Sequence, residues 1–147
     1  MNKLVFAAAL ALAAVPVALS AHNGVIHEAP HGGIIRPVKN ADLEIVLAPK
    51  GGVRIYVMDA KGKSLPASAV SDLSVEIARP RAKTEYLTMK PDPTGTLWMG
   101  ASKPVTDPKS IIRVGTVVGG QSGLIEVPRA QFPVYKQAGA KPGRHAQ

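Results

Sequence analysis

A chain of 147 residues with no cysteine and a net charge of +8 has room for one domain and excludes disulfides, thiolate metal sites and cysteine catalysis. Its basic residues are scattered, and the densest group, Arg79-Pro80-Arg81-Ala82-Lys83, is short and broken by proline. That reads as a solvated loop rather than a nucleic-acid surface, with at most a weak attraction to anionic envelope surfaces.

Met1 to Ala21 has the form of a secretory signal peptide. Lys3 supplies a positive start, Leu4 to Val15 is a continuous apolar run of twelve residues, Pro16 ends it, and small residues follow at Ala18, Ser20 and Ala21. Such a run is too short to span a bilayer, so the mature chain is expected to carry no transmembrane segment. Cleavage after Ser20 places Ala18 at −3 and fits the small-x-small rule; cleavage after Ala21 makes His22 the first residue. The expected location is periplasmic or secreted, with a mature chain of about 126 residues, enough for one modest core.

His22 to Gly33, HNGVIHEAPHGG, then holds three of the four histidines, His22, His27 and His31, together with Glu28. Neutral imidazole is a good metal donor near neutral pH. Spacings of five and four residues can close a flexible segment around one ion, and zinc or copper accepts imidazole with a carboxylate. Glu28, Asp42 or Glu44 can supply that oxygen. A chain beginning at His22 can also chelate copper through its free amine and ring nitrogen. The competing reading is an exposed, disordered N-terminal segment. Of the three histidines, His31 is expected to matter most: Gly32-Gly33 make a turn that presents it beside the next strands, so less backbone entropy is lost on binding than for His22 or His27.

The remainder reads as strands and turns. Ile34-Ile35 is a short strand stopped at Pro37. Asp42 to Leu47 alternates, with Leu43, Ile45 and Leu47 on a buried face and Asp42, Glu44 and Val46 on a polar one. Pro49-Lys50-Gly51-Gly52 is a turn, and Val53 to Met58 completes a hairpin with Val53, Ile55 and Val57 facing one way. Asp59 to Lys63 turns the chain again. Leu65 to Val70 forms one helical turn or a loop. Leu73 to Ile77 is a strand with Leu73, Val75 and Ile77 inward. Lys83 to Met89 and Thr96 to Met99 flank the turn-rich Pro91 to Gly95. Ile111 to Val118 and Leu124 to Val127 flank a loop at Gly119 to Gly123. Met58, Met89 and Met99 are expected as core filler before copper ligands, and Trp98 and Tyr86 as core aromatics. No nucleophile elbow, zinc-protease helix, phosphate loop or dinucleotide fingerprint occurs, so an enzyme is not expected.

His31-Gly32-Gly33, the strand core Leu43-Glu44-Ile45-Val46 and the run Gly52 to Lys63 (GVRIYVMDAKGK) together resemble a pattern in small exported proteins and N-terminal segments of periplasmic adaptor subunits associated with heavy-metal efflux. In that pattern a His-Gly-Gly motif precedes a strand with a central glutamate, and the following strand ends in Asp before a glycine-centred turn. The resemblance covers residues 31–63. It implies an envelope protein of metal handling, with His31 and Glu44 as candidate contacts. The family often has another histidine just before the Leu-Glu pair; Asp42 stands there, which implies a weaker metal site or none.

The expectation is an all-β protein, an antiparallel β-sandwich of seven or eight short strands, immunoglobulin-like or similar. Residues 1–21 are assigned to the signal peptide, 22–33 to the histidine segment, 34–136 to the sandwich and 137–147 to a disordered tail. The functional expectation is binding of a copper or zinc ion by His22, His27, His31 and Glu44 in envelope metal homeostasis or efflux. The alternative is a metal-free interaction or scaffold module that docks to an efflux or adaptor protein. Intact-mass measurement of the exported protein is expected to show the first 20 or 21 residues absent; a mass that still includes Met1 to Ala18 overturns the assignment to the envelope.

Overall fold

The computed structural model describes residues 29–134. The proposed signal peptide, His22, His27, Glu28 and the proposed tail from Gln137 lie outside them. Two antiparallel sheets make up the fold, which is about 50% strand and 6% helix. The first sheet begins as a meander of β1 (Ile34–Val38), β2 (Ala41–Leu47) and β3 (Val53–Met58). β4 (Ser64–Leu65) pairs with one side of β3's end. The chain then makes a 3-10 turn at Ala67–Ala69 and enters the second sheet as β5 (Ser71–Ala78) and β6 (Glu85–Leu87). It returns to the first sheet as β7 (Lys90–Pro91) and β8 (Leu97–Gly100), then finishes in the second with the hairpin β9 (Ile111–Val118) and β10 (Gln121–Pro128). The orders are β1-β2-β3-β8-β7 and β10-β9-β5-β6.

Alternation of apolar residues puts one face of each sheet into a shared core. Leu43, Ile45, Val53 and Ile55 from the first sheet and Ile77, Ile112, Val114 and Val127 from the second are fully buried there. With no cysteine in the chain, this burial is the main stabilising term, at roughly 25 cal/mol per Å² of apolar surface. The alternating strands lie close to where periodicity places them. β3 and β9 match at both ends, and β2 gains only Ala41.

The departures from the expected layout have local causes. Pro37 does not stop β1, because β1 is an edge strand and a proline there costs no interior ladder bond; it pairs with Asp42. The expected five-residue loop at Gly119 to Gly123 shrinks to two, since Val118 pairs with Gln121 and Gly119 and Gly120 have φ of 55° and 75°. Consecutive positive φ values are what a type I′ hairpin requires. Tyr86 is not in the core: it stands on the outer face of the short edge strand β6, 76% exposed. Trp98 does pack against the core and donates its indole N–H to the Ala67 carbonyl at 2.9 Å. Met58 and Met89 are buried, whereas Met99 is exposed. Finally, Arg79 is not a free loop cation. Its guanidinium donates to Glu85 at 2.7 Å and to the carbonyls of Lys103 and Pro104, both at 2.9 Å, which ties the β5–β6 turn to the loop before β9.

The connector from β7 to β8 is organised by one carboxylate. Asp92 Oδ1 accepts the N–H groups of Thr96 and Leu97 at 2.7 and 3.0 Å, and Oδ2 accepts the N–H and hydroxyl of Thr94. The Thr94 hydroxyl, followed by the Leu97 N–H, holds this carboxyl well below the usual carboxylate range. Glu85 is also lowered: burial pushes it up, but the Arg79 guanidinium and the Lys103 N–H more than offset that. Carboxyls depressed in the folded state contribute stability that is fully present above the unfolded value, near pH 4, and is lost as pH falls toward the folded one. Thermal melts are therefore expected to hold steady from pH 7 to about 5 and to drop below about 4. Asp92→Asn should melt lower than wild type at pH 7 and show a smaller acid drop; an unchanged acid profile would contradict this account.

Candidate functional site

The site grows from a turn. Gly32 donates its N–H to the Ala29 carbonyl at 3.1 Å, closing a four-residue turn over Ala29-Pro30-His31-Gly32. Proline at the second position presets the required φ. His31 at the third does not have positive φ, which excludes the type II form, and Gly32 takes φ 74° at the turn's exit. Gly33 then lies so close to β2 that an added Cβ would sit 2.3 Å from the Ile45 carbonyl oxygen and 2.8 Å from the Val46 side chain. Only glycine allows that approach.

This approach puts the turn on top of Glu44. Glu44 occupies the middle of β2 on the face away from the core, paired with Ile35 on one side and Tyr56 on the other. The turn covers it completely, and the residue is 0% exposed. Its carboxylate is compensated by the turn itself. Oε1 accepts the N–H groups of His31 and Gly33 at 2.8 and 3.0 Å, and Oε2 lies within hydrogen-bond distance of His31 Nδ1 at 2.7 Å. Burial of an unpaired carboxylate costs several kcal/mol or more, so these three hydrogen bonds are a condition of the arrangement. The His31 ring lies flat on Tyr56, with centroids 3.6 Å apart and planes 1° from parallel. Its side chain nevertheless remains 40% exposed. His31 thus has a fixed backbone, a fixed ring plane and a side chain that still reaches solvent.

Of the residues singled out in the sequence, His31 and Glu44 are brought into contact, and His22, His27 and Glu28 lie outside the described residues. Asp42 is on the same face of β2, one residue pair further along, opposite Pro37 and Met58. The expected polar face of β2 is in fact buried at Glu44 and Val46, because the turn and Gly33 lie against it. Both Glu44 oxygens are engaged in hydrogen bonds, where the sequence reading offered an open oxygen donor. Tyr56 was not singled out, yet it supplies the platform under the ring. Its place was readable: a hairpin closed by Pro49 to Gly52 that pairs Leu47 with Val53 must pair Glu44 with Tyr56. Among the described residues no group of three or more His, Asp or Glu side chains is placed to hold a metal ion.

A shallow cleft of about 510 Å³ elsewhere on the chain is lined by Gly51, Gly52, Arg54, Lys90, Met99 and Gly100 among others. No imidazole or carboxylate lines it, so it lacks the donors that the His31 turn has. No helix among the described residues is long and apolar enough to cross a membrane. No protein-family model, curated protein or solved structure matches the chain.

Gly33→Ala tests the close approach. Forcing a methyl against the Ile45 carbonyl should destabilise the protein by roughly 1–3 kcal/mol, the usual cost of overpacking. It should also speed amide hydrogen exchange at His31 and residue 33. Unchanged denaturant midpoint and unchanged exchange at both amides would show that the turn does not depend on glycine here.

Proposed function

We propose that this is an exported, non-enzymatic protein whose two sheets form a β-sandwich, immunoglobulin-like or similar, and which binds a copper or zinc ion through its N-terminal histidine segment. The role is envelope metal homeostasis or efflux, in keeping with the resemblance of residues 31–63 to proteins associated with heavy-metal efflux. The observation that carries this reading is the setting of His31. Its N–H and Nδ1 are both held by a fully buried carboxylate, and its ring still reaches solvent. A ligand ordered before the ion arrives loses little entropy on binding. His31 is the fixed ligand, and His22 and His27 are brought to it by the chain that precedes the turn. Carboxylate-backed imidazole is a donor well suited to zinc or copper.

A second reading has its own support. The His31 contacts described above also clamp the chain before β1 onto β2 through Glu44 and onto β3 through Tyr56, and no metal group of three or more forms among the described residues. On that reading the turn is structural and the protein is a metal-free envelope module. It would dock to an efflux or adaptor protein through a sheet edge such as the eight-residue β10.

Calorimetric titration with Zn²⁺ and Cu²⁺ separates the two. The mature protein is expected to bind at micromolar concentration, His31→Ala to lose most of the affinity, and His22→Ala/His27→Ala to lose less. Affinity should fall on acidification, since imidazole must be neutral to bind. If the double variant loses binding while His31→Ala retains it, the site is a flexible N-terminal chelate. Absence of binding in all three leaves the metal-free module.

A further inference from the structure

Resting on the metal-binding reading above, we infer that Glu44 is a positioning residue: its buried carboxylate keeps the His31 proton on Nδ1, so that Nε2 is the atom offered to the ion. Oε1 faces two backbone N–H groups, those of His31 and Gly33, and a backbone N–H can only donate. The position of Oε1 therefore must hold an acceptor. Oε2 is the other oxygen of the same carboxylate, 2.7 Å from His31 Nδ1. Facing a carboxylate oxygen, Nδ1 carries the hydrogen and donates it. A neutral imidazole has one N–H, so its lone pair is left on Nε2. A half-turn of the ring about its Cβ–Cγ bond would keep it stacked on Tyr56 but would put a C–H in place of Nδ1 against Oε2, so the 2.7 Å contact fixes which edge of the ring faces the carboxylate. Glu44 itself is 0% exposed, with both oxygens committed, so it acts on the ion through the ring and not as a ligand. Carboxylate–histidine pairs of this kind fix the tautomer and orientation of metal-binding imidazoles.

Glu44→Gln is nearly isosteric and inverts this logic. The glutamine oxygen must stay at the Oε1 position, where two N–H donors meet it. The amide NH₂ is then directed at Nδ1, which has to become the acceptor, and the ring proton moves to Nε2. A merely structural role for Glu44 gives the same two tautomers but leaves Zn²⁺ affinity unchanged in Glu44→Gln, so affinity is the readout that separates the two roles. The experiment has two readouts on the mature protein. Long-range ¹H–¹⁵N correlation of the metal-free protein, with the His31 signals assigned by their loss in His31→Ala, reports the tautomer; calorimetry reports Zn²⁺ affinity. Wild type should carry the His31 proton on Nδ1 and Glu44→Gln on Nε2, with affinity lowered 10–100-fold in Glu44→Gln. Glu44→Gln that binds Zn²⁺ as tightly as wild type, while His31→Ala is weakened, overturns the inference and leaves the metal reading standing. His31→Ala that binds as tightly as wild type overturns the metal reading and the inference together. If Glu44→Gln does not fold, the wild-type tautomer decides: a proton on Nδ1 supports the inference, and one on Nε2 overturns it.

Discussion

A carboxylate at 0% exposure in the middle of a strand sets the terms for one whole face of this protein. Glu44 cannot be buried unless donors converge on it, and in the fold they come from one short piece of chain, the turn from Ala29 to Gly33. The dependence runs both ways. Without Glu44, the N–H groups of His31 and Gly33 would lose their acceptor, at about 1–3 kcal/mol for each one left buried and unsatisfied. Without Gly33, the turn could not come close enough to deliver them. β1, an edge strand with a proline inside it, is therefore anchored at its start by side-chain chemistry as well as by its ladder with β2.

The same arrangement explains why the first sheet is buried on both faces around β2. Its inner face joins the core through Leu43, Ile45 and Leu47. Its outer face is closed at Glu44 and Val46 by the turn. A strand with an acidic residue flanked by apolar ones reads as half-exposed when only its period is considered, and the covering segment is what changes that. The second sheet handles its outer face differently. There Arg113 lies between Glu76 and Glu126 at 2.8 and 2.6 Å, an exposed cross-strand ladder whose guanidinium is held further into its charged form by both partners. Such a ladder is solvated and contributes modestly. The buried Glu44 cluster is the one in which loss of a partner is costly.

Much of the strand layout was legible because alternation is a local property. Val53 to Met58 and Ile111 to Val118 could be bounded from their own residues. What pairs with what was not, since β3 meets β8 across some forty residues of chain and β5 meets β9 across a similar gap. Tyr86 was misjudged because an aromatic in a strand is apolar by type, but its exposure depends on the strand's being a short edge. At the site, His31-Gly32-Gly33 and Glu44 could be picked out as chemically loaded residues. Their relation could not, because it rests on Gly33's distance to the Ile45 carbonyl and on which Glu44 oxygen each donor reaches.

The anchoring of His31 has a physical consequence for any ligand taken there. His31 is held at three points, its N–H, its Nδ1 and its ring face, so its contribution to binding carries little ordering cost. Each residue of the preceding chain that must be fixed to bring His27 or His22 to the same ion costs about 1–2 kcal/mol. His27 lies four positions before His31, and His22 nine. Enlisting His27 is therefore cheaper than enlisting His22, unless His22 is the first residue and adds its amine as a second donor. The affinity of the segment on the metal-binding reading is then governed by how many donors the chain before the turn can deliver, and its selectivity by the one donor the turn has already fixed.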